Sequence, residues 1–197
     1  KTLGARLKTL LRFRPGFILP AIPANAEPRT GLSMGEHCEL MAKQGQISRE
    51  AQDELTWHSH HNLMAAYQRG FFDNLITPFN GVERDGILRD TPPEKLAALK
   101  PVFDRENGTL TAANSTTLTD GAAAVLLASE EWAEAHNLPV QAYLSFSEVA
   151  AVDFYSRGSD SEGLLMAPAY AVPRLLQRAG ISLQDFDFYE IHEAFAA

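Results

Sequence analysis

The sequence has almost no cysteine. Cys38 is the single thiol in 197 residues. An internal disulfide and a thiolate metal cluster are therefore excluded, and a reducing compartment is expected. No run of about 18 apolar residues occurs, so no membrane-crossing helix is expected. No secretory leader is expected either, because Arg6 and Lys8 interrupt the apolar positions of the first segment. No internal repeat or low-complexity tract is present. The chain opens on Lys1 rather than Met, which we read as processing or truncation.

Acid is absent at the start. Lys1, Arg6, Lys8, Arg12 and Arg14 all precede the first carboxylate, Glu27. Those five belong to a total of 17 basic residues, so the remaining 12 stand against 25 acidic ones. So acidic a body argues against general nucleic-acid binding, which needs many phosphate-neutralising cations. Leu3, Leu7, Leu10 and Leu11 sit at helical spacing among the bases, which predicts a surface helix. Contact of that helix with a membrane surface or an acidic partner stays open. Pro15, Pro20, Pro23 and Pro28 then forbid a long helix and predict an extended connection.

What is present is an alternation of helix and strand signals. A helix is predicted from Ser33 to near Gly45, and a second from Ser48 to near Gly70, with Glu50 and Asp53 toward its positive end. His58 and His61 share a face of that second helix while His60 points elsewhere, so surface or packing histidines are expected and no metal site. A short strand is predicted over residues 74–79 and a loop to Pro93. A short helix follows Pro92 and Pro93. The apolar run "AAAVLLA" reads as a strand buried on both faces. Ser129 opens a helix with acids in its first turn. "VQAYLSFSEVAAV" and "FDFYEI" read as further strands. Between them, "APAYAVPRLLQRAGISLQDF" is a helix stopped by Gly180, with Pro173 expected in its first turn. Strand, helix, strand in this order predicts an α/β fold.

Several of these stretches together resemble one family. "ANSTTLTDGAAAVLLAS", "APAYAVPRLLQRAG", "IHEAFAA", and "LSMGEH" followed by "ISREAQDELTWHSHHNLMAAY" are similar to thiolases, in order and spacing, through nearly the whole chain. The His-Glu form of the final motif is similar to fatty-acid-oxidation thiolases and the β-subunit of the trifunctional complex. Other stretches look closest to actinobacterial acetyl-CoA acyltransferases. The resemblance implies a partial thiolase fold, layered α-β-α-β-α. It implies a loop (insertion) domain over 1–112, the last strand and helix of the N-terminal half over 113–138, and the start of the C-terminal half over 139–197.

It further implies thiolytic cleavage of 3-ketoacyl-CoA to acetyl-CoA and a shortened acyl-CoA, or the reverse Claisen condensation, in fatty-acid β-oxidation. Coenzyme A is then a substrate, with no permanently bound cofactor. On this resemblance His192 is an oxyanion-hole donor and Glu193 a supporting partner of its loop. Phe195 lines the acyl or pantetheine path or else serves as a core aromatic, and Met34 borders the thioester. Ala171 and Val172 meet the pantetheine, where Val172 lacks the hydroxyl that the family often carries. A bacterial cytoplasmic location, a homodimer or tetramer, and an α-subunit with hydratase and dehydrogenase activities are implied in the same way.

The family's nucleophilic cysteine, its Gly-His-Pro histidine and its second cysteine have no match here. Cys38 falls inside a predicted helix and reads as a packing thiol. The chain is therefore expected to be an internal fragment, poorly soluble and inactive alone. Two alternatives remain: a thiolase-fold condensing or sterol-carrier-type protein, and a non-catalytic coenzyme A-binding or assembly module.

Overall fold

The computed structural model describes residues 2–4, 8, 12, 20, 23–155 and 162–197. The chain divides into two compact units, Lys1–Ser33 and Met34–Ala197. In the first, the predicted basic helix and the proline-rich connection lie largely outside the described residues. Its described end is a tight turn rather than an extended segment. Glu27 accepts hydrogen bonds from the N–H groups of Arg29 and Thr30, and its own N–H donates to the Leu32 carbonyl at 2.8 Å. The turn closes because Gly31 takes φ +73°, a backbone state with little cost only for glycine.

The second unit is built on helices that lie where the sequence predicts them, two of them with the predicted serine cap. α1 spans Met34–Gln44. It buries Gly35, Cys38, Glu39 and Ala42, the i, i+3, i+4, i+7 spacing of one helical face. Cys38, Ala42 and Leu110 form the small apolar core, packed by Met41, Ile47, Phe103, Leu165, Phe195 and Ala197. α2 spans Arg49–Gln68; the Ser48 hydroxyl accepts from the Ala51 N–H, and Glu50 lies in its first turn. α3 is the short Pro93–Ala97 helix. α4, Glu130–Ala135, is capped by Ser129 through the Trp132 N–H. α5, Pro168–Ala179, ends at Gly180 with φ 69°, as predicted, and is followed by a 3-10 turn over Leu183–Asp185. No described helix is long and apolar enough to cross a membrane.

Two expectations are corrected. Pro173 lies inside α5, and it is Pro168 that occupies the first turn. The larger correction concerns the strands. Among the described residues the only β pairings are the isolated bridges Phe79–Val82 and Ser115–Phe195, both antiparallel. Segments 122–128, 140–152 and 186–191 form no ladder. Their apolar side chains are open: Val125 is 84% exposed, Leu144 79% and Phe188 86%. A strand needs a neighbour to take its N–H and C=O groups, and the described residues contain none for these segments.

Two charged groups brace the start of the loop that leads into the core. The Lys43 ammonium of α1 bonds to the Asp104 carboxylate. Together with the N–H groups of Asn107 and Glu106, it holds that carboxyl down to about 2 from its usual 3.8. A depressed folded-state pKa stabilises above the unfolded value and loses that contribution as pH falls through the folded one. We therefore expect melting temperature to fall more steeply from pH 4 to pH 2 in the parent protein than in Asp104→Asn. Parallel acid-side melting curves by circular dichroism would contradict this.

Candidate functional site

The loop ending the chain is stitched to residues 114–116. The Thr116 N–H donates to the Ala194 carbonyl at 2.8 Å, and the Ala196 N–H donates to the Asn114 carbonyl at 3.0 Å. These two bonds flank the Ser115–Phe195 bridge. Phe195 then meets Phe103 edge to face, with ring centroids 5.8 Å apart. Phe103 in turn lies against Gly35, where a Cβ would come within 2.1 Å of its ring. Met34, at the first position of α1, is thus joined to Phe195 through Gly35 and Phe103. It remains 51% exposed.

His192 is exposed, and its imidazole makes no hydrogen bond to the described residues. Either ring nitrogen is free to donate to an oxygen that enters from outside. Glu193 faces a cavity of about 210 Å³, lined also by His60, Leu63, Ser115, Thr116 and Phe195. Glu193 and Phe195 thus line one cavity, while Met34 and His192 are not among the residues that line it. Ala171 and Val172 sit apart on α5, half-buried and exposed respectively. That helix is held by Arg178, which reaches the Ser147 carbonyl at 2.8 Å and the Glu148 carboxylate at 2.7 Å. Toward α1 its leader is close: Gly163 packs beside Met41, and Leu165 joins the core.

The remaining chemistry-bearing side chains have structural occupations. Cys38 is wholly buried, and burial, with the nearby Glu39 charge second, pushes its thiol up to about 11. It is a thiol at neutral pH and no nucleophile. The three histidines of α2 act separately. His61 stacks on Trp57 at 5.1 Å and His58 meets the same ring at 4.7 Å, while His60 Nδ1 accepts the Arg89 N–H at 3.4 Å.

Sequence reasoning missed Phe103, Asn114, Ser115 and Thr116. The signal was available in part: a run of small and hydroxyl residues between two apolar stretches is where another backbone can approach closely. What placed them could not be read, since it is a buried polar seam. Glu39 accepts from the Thr109 N–H at 2.7 Å, the Thr109 hydroxyl at 3.0 Å and the Leu110 N–H at 3.0 Å. Gln52 donates to the Thr109 hydroxyl at 2.9 Å. No buried side-chain nitrogen or oxygen among the described residues lacks a partner, as a buried polar layer requires.

A family model described as "Thiolase, N-terminal domain" matches residues 18–131, and one described as "Thiolase, C-terminal domain" matches 147–197. The chain belongs to the thiolase family. It is similar to a 3-ketoacyl-CoA thiolase of Yersinia pestis, 43% identical over all of this chain and 45% of that protein. Among solved structures, it resembles human mitochondrial 3-ketoacyl-CoA thiolase in complex with CoA, with a TM-score of 0.74 and 30% identity, over 87% of this chain and 42% of that one. It also resembles the dimeric peroxisomal thiolase of Saccharomyces cerevisiae, with a TM-score of 0.73 and 34% identity, over 84% and 42%. The fold is therefore that of a thiolase, and the chain spans less than half the length of these relatives.

The Gly35–Phe103 contact yields a prediction. Gly35→Ala drives a methyl into the Phe103 ring and tilts it away from Phe195. Overpacking costs about 1–3 kcal/mol, against a helix-propensity gain of about 1 kcal/mol at most. Net destabilisation in urea unfolding is expected. The control Gly121→Ala, where nothing lies within 4 Å, should be near neutral. Equal stability of both variants would show that Phe103 yields freely.

Proposed function

We propose that this chain is the central part of a 3-ketoacyl-CoA thiolase, an acetyl-CoA C-acyltransferase of fatty-acid degradation. Similarity along its entire length to a protein of that name carries the reading. Coenzyme A is the substrate, a role supported by the relative whose structure contains it. Pairing into at least a dimer is supported by the yeast relative.

In the reaction, a cysteine thiolate supplied outside this segment adds to the keto carbon of 3-ketoacyl-CoA. The bond between C2 and C3 breaks, leaving an acyl thioester on the sulfur and the enolate of acetyl-CoA. The enolate carbon takes a proton from the family's second cysteine, also supplied outside this segment. That cysteine then takes the thiol proton of a second coenzyme A, whose sulfur accepts the acyl group and frees the first cysteine. Negative charge develops on oxygen at each stage, and fixed N–H donors in a dry site stabilise it. His192 supplies an N–H of this kind once substrate and the rest of the protein enclose its loop. Its exposed, unpaired imidazole suits an acceptor that arrives with the substrate. Glu193 supports its loop. Met34 and Phe195 wall the thioester end of the path. Ala171 and Val172 border the pantetheine through apolar contact alone.

Residues 1–112 are the loop domain, 113–138 close the first half and 139–197 open the second. The unpaired apolar segments 122–128, 140–152 and 186–191 find their sheet neighbours in chain outside this segment. Exposed apolar strand edges aggregate, so the 197-residue chain alone is expected to be poorly soluble and devoid of thiolysis.

The complete protein is expected to cleave acetoacetyl-CoA in the presence of coenzyme A. His192→Ala should lower kcat by about 10²- to 10³-fold, the usual cost of one oxyanion donor. His192→Asn, which keeps a side-chain N–H, should retain more activity. Absence of thiolysis by the complete protein, or full activity of His192→Ala, would defeat this reading.

A further inference from the structure

Beside the apolar packing of Phe195 and Ala197 on the core, one buried polar side chain ties the first helices to the site loop. The hydrogen bonds that join residues 192–197 to the rest of the described chain run to the backbone of Asn114 and Thr116. Asn114 is 2% exposed. Its Oδ1 accepts the Thr111 N–H at 2.6 Å. A backbone N–H can only donate, so this bond fixes the amide and turns Nδ2 the other way. There Nδ2 meets Gln52 Oε1 at 3.3 Å, Asp53 Oδ1 at 3.2 Å and the Thr109 carbonyl at 3.2 Å.

Each acceptor is itself held. Gln52 is turned by its donation to the Thr109 hydroxyl and to the Ile47 carbonyl, which leaves its oxygen for Asn114. Asp53 is gripped by Arg49 at 2.8 Å, and Arg49 reaches the Leu96 and Leu99 carbonyls at 2.7 and 3.2 Å. Thr109 hangs from Glu39 of α1. All three of the first helices therefore converge on the Asn114 carboxamide, and the backbone carbonyl of the same residue receives the Ala196 N–H.

We propose that Asn114 is a positioning residue: it sets the place of the His192–Phe195 loop by coupling that loop to the first turn of α2. The proposal rests on the thiolase reading for its catalytic consequence, and on geometry alone for its structural one. A displacement of about 1 Å at a reacting centre can cost two orders of magnitude in rate, so a residue that never touches substrate can govern turnover.

The test uses the complete protein. Asn114→Asp keeps the shape and replaces the donor hydrogens with an acceptor facing Asp53 and Gln52. Asn114→Asp combined with Asp53→Asn restores a donor–acceptor pair across the same gap. Amide hydrogen exchange at Thr116 and Ala196 is compared with that at Gly180, whose N–H bonds Leu176 within α5. The single variant is expected to speed exchange at Thr116 and Ala196 at least tenfold while Gly180 is unchanged. It should lower kcat for thiolysis about tenfold or more, with KM for coenzyme A within twofold. The double variant should recover most of both. Unchanged exchange at Thr116 and Ala196, an equal rise at Gly180, or faster exchange with unaltered kcat would each overturn the proposal. If the parent protein shows no thiolysis, the functional reading fails, and the exchange comparison still decides whether Asn114 fixes the loop.

Discussion

The second unit depends on the Glu39 carboxylate meeting the backbone of residues 109 and 110 in a space closed to water. A buried carboxylate is tolerable only when hydrogen-bonded, and three donors from Thr109 and Leu110 meet its two oxygens. The same contact presents the Thr109 hydroxyl to Gln52 and brings residues 111–116 against α2. The apolar core proper is small, with Cys38, Ala42 and Leu110 at its centre. Apolar burial gives this region cohesion without direction. The polar seam supplies register, since each of its bonds accepts only one partner orientation.

Helix ends were legible because their chemistry is local. Ser48 and Ser129 accept N–H groups of their own first turns, Pro92 and Pro93 open α3, and Gly180 takes the left-handed conformation. None of these needs a distant partner. The strands were legible as pattern and absent as structure, because a run such as residues 122–128 encodes the wish for neighbours and cannot provide them. Pro173 was misplaced because two prolines compete for one first turn, and Pro168 lies nearer the helix start.

The seam was hidden for a different reason. α2 buries Gln52, Asp53, Thr56 and Ala66, so its inward face is polar, and a search for apolar periodicity looks past it. Asn114 sits in a run of small and hydroxyl residues that could equally be a solvated loop. Its burial is decided by residues 61 and 62 positions away. Of the proposed site, the His192–Phe195 loop and Met34 could be suggested by resemblance. The aromatic that joins them, Phe103, could not, because Gly35 makes room for it on a helix remote in sequence.

Cys38 has a practical consequence. Its sulfur is sealed in the heart of α1, beneath the side chains that seat Phe195, and no other thiol exists in the chain to compete with it. Alkylating reagents can reach it only when that helix lifts away. The segment thus carries its own clock: the rate at which iodoacetamide consumes this sulfur reports how often the floor beneath the site comes apart.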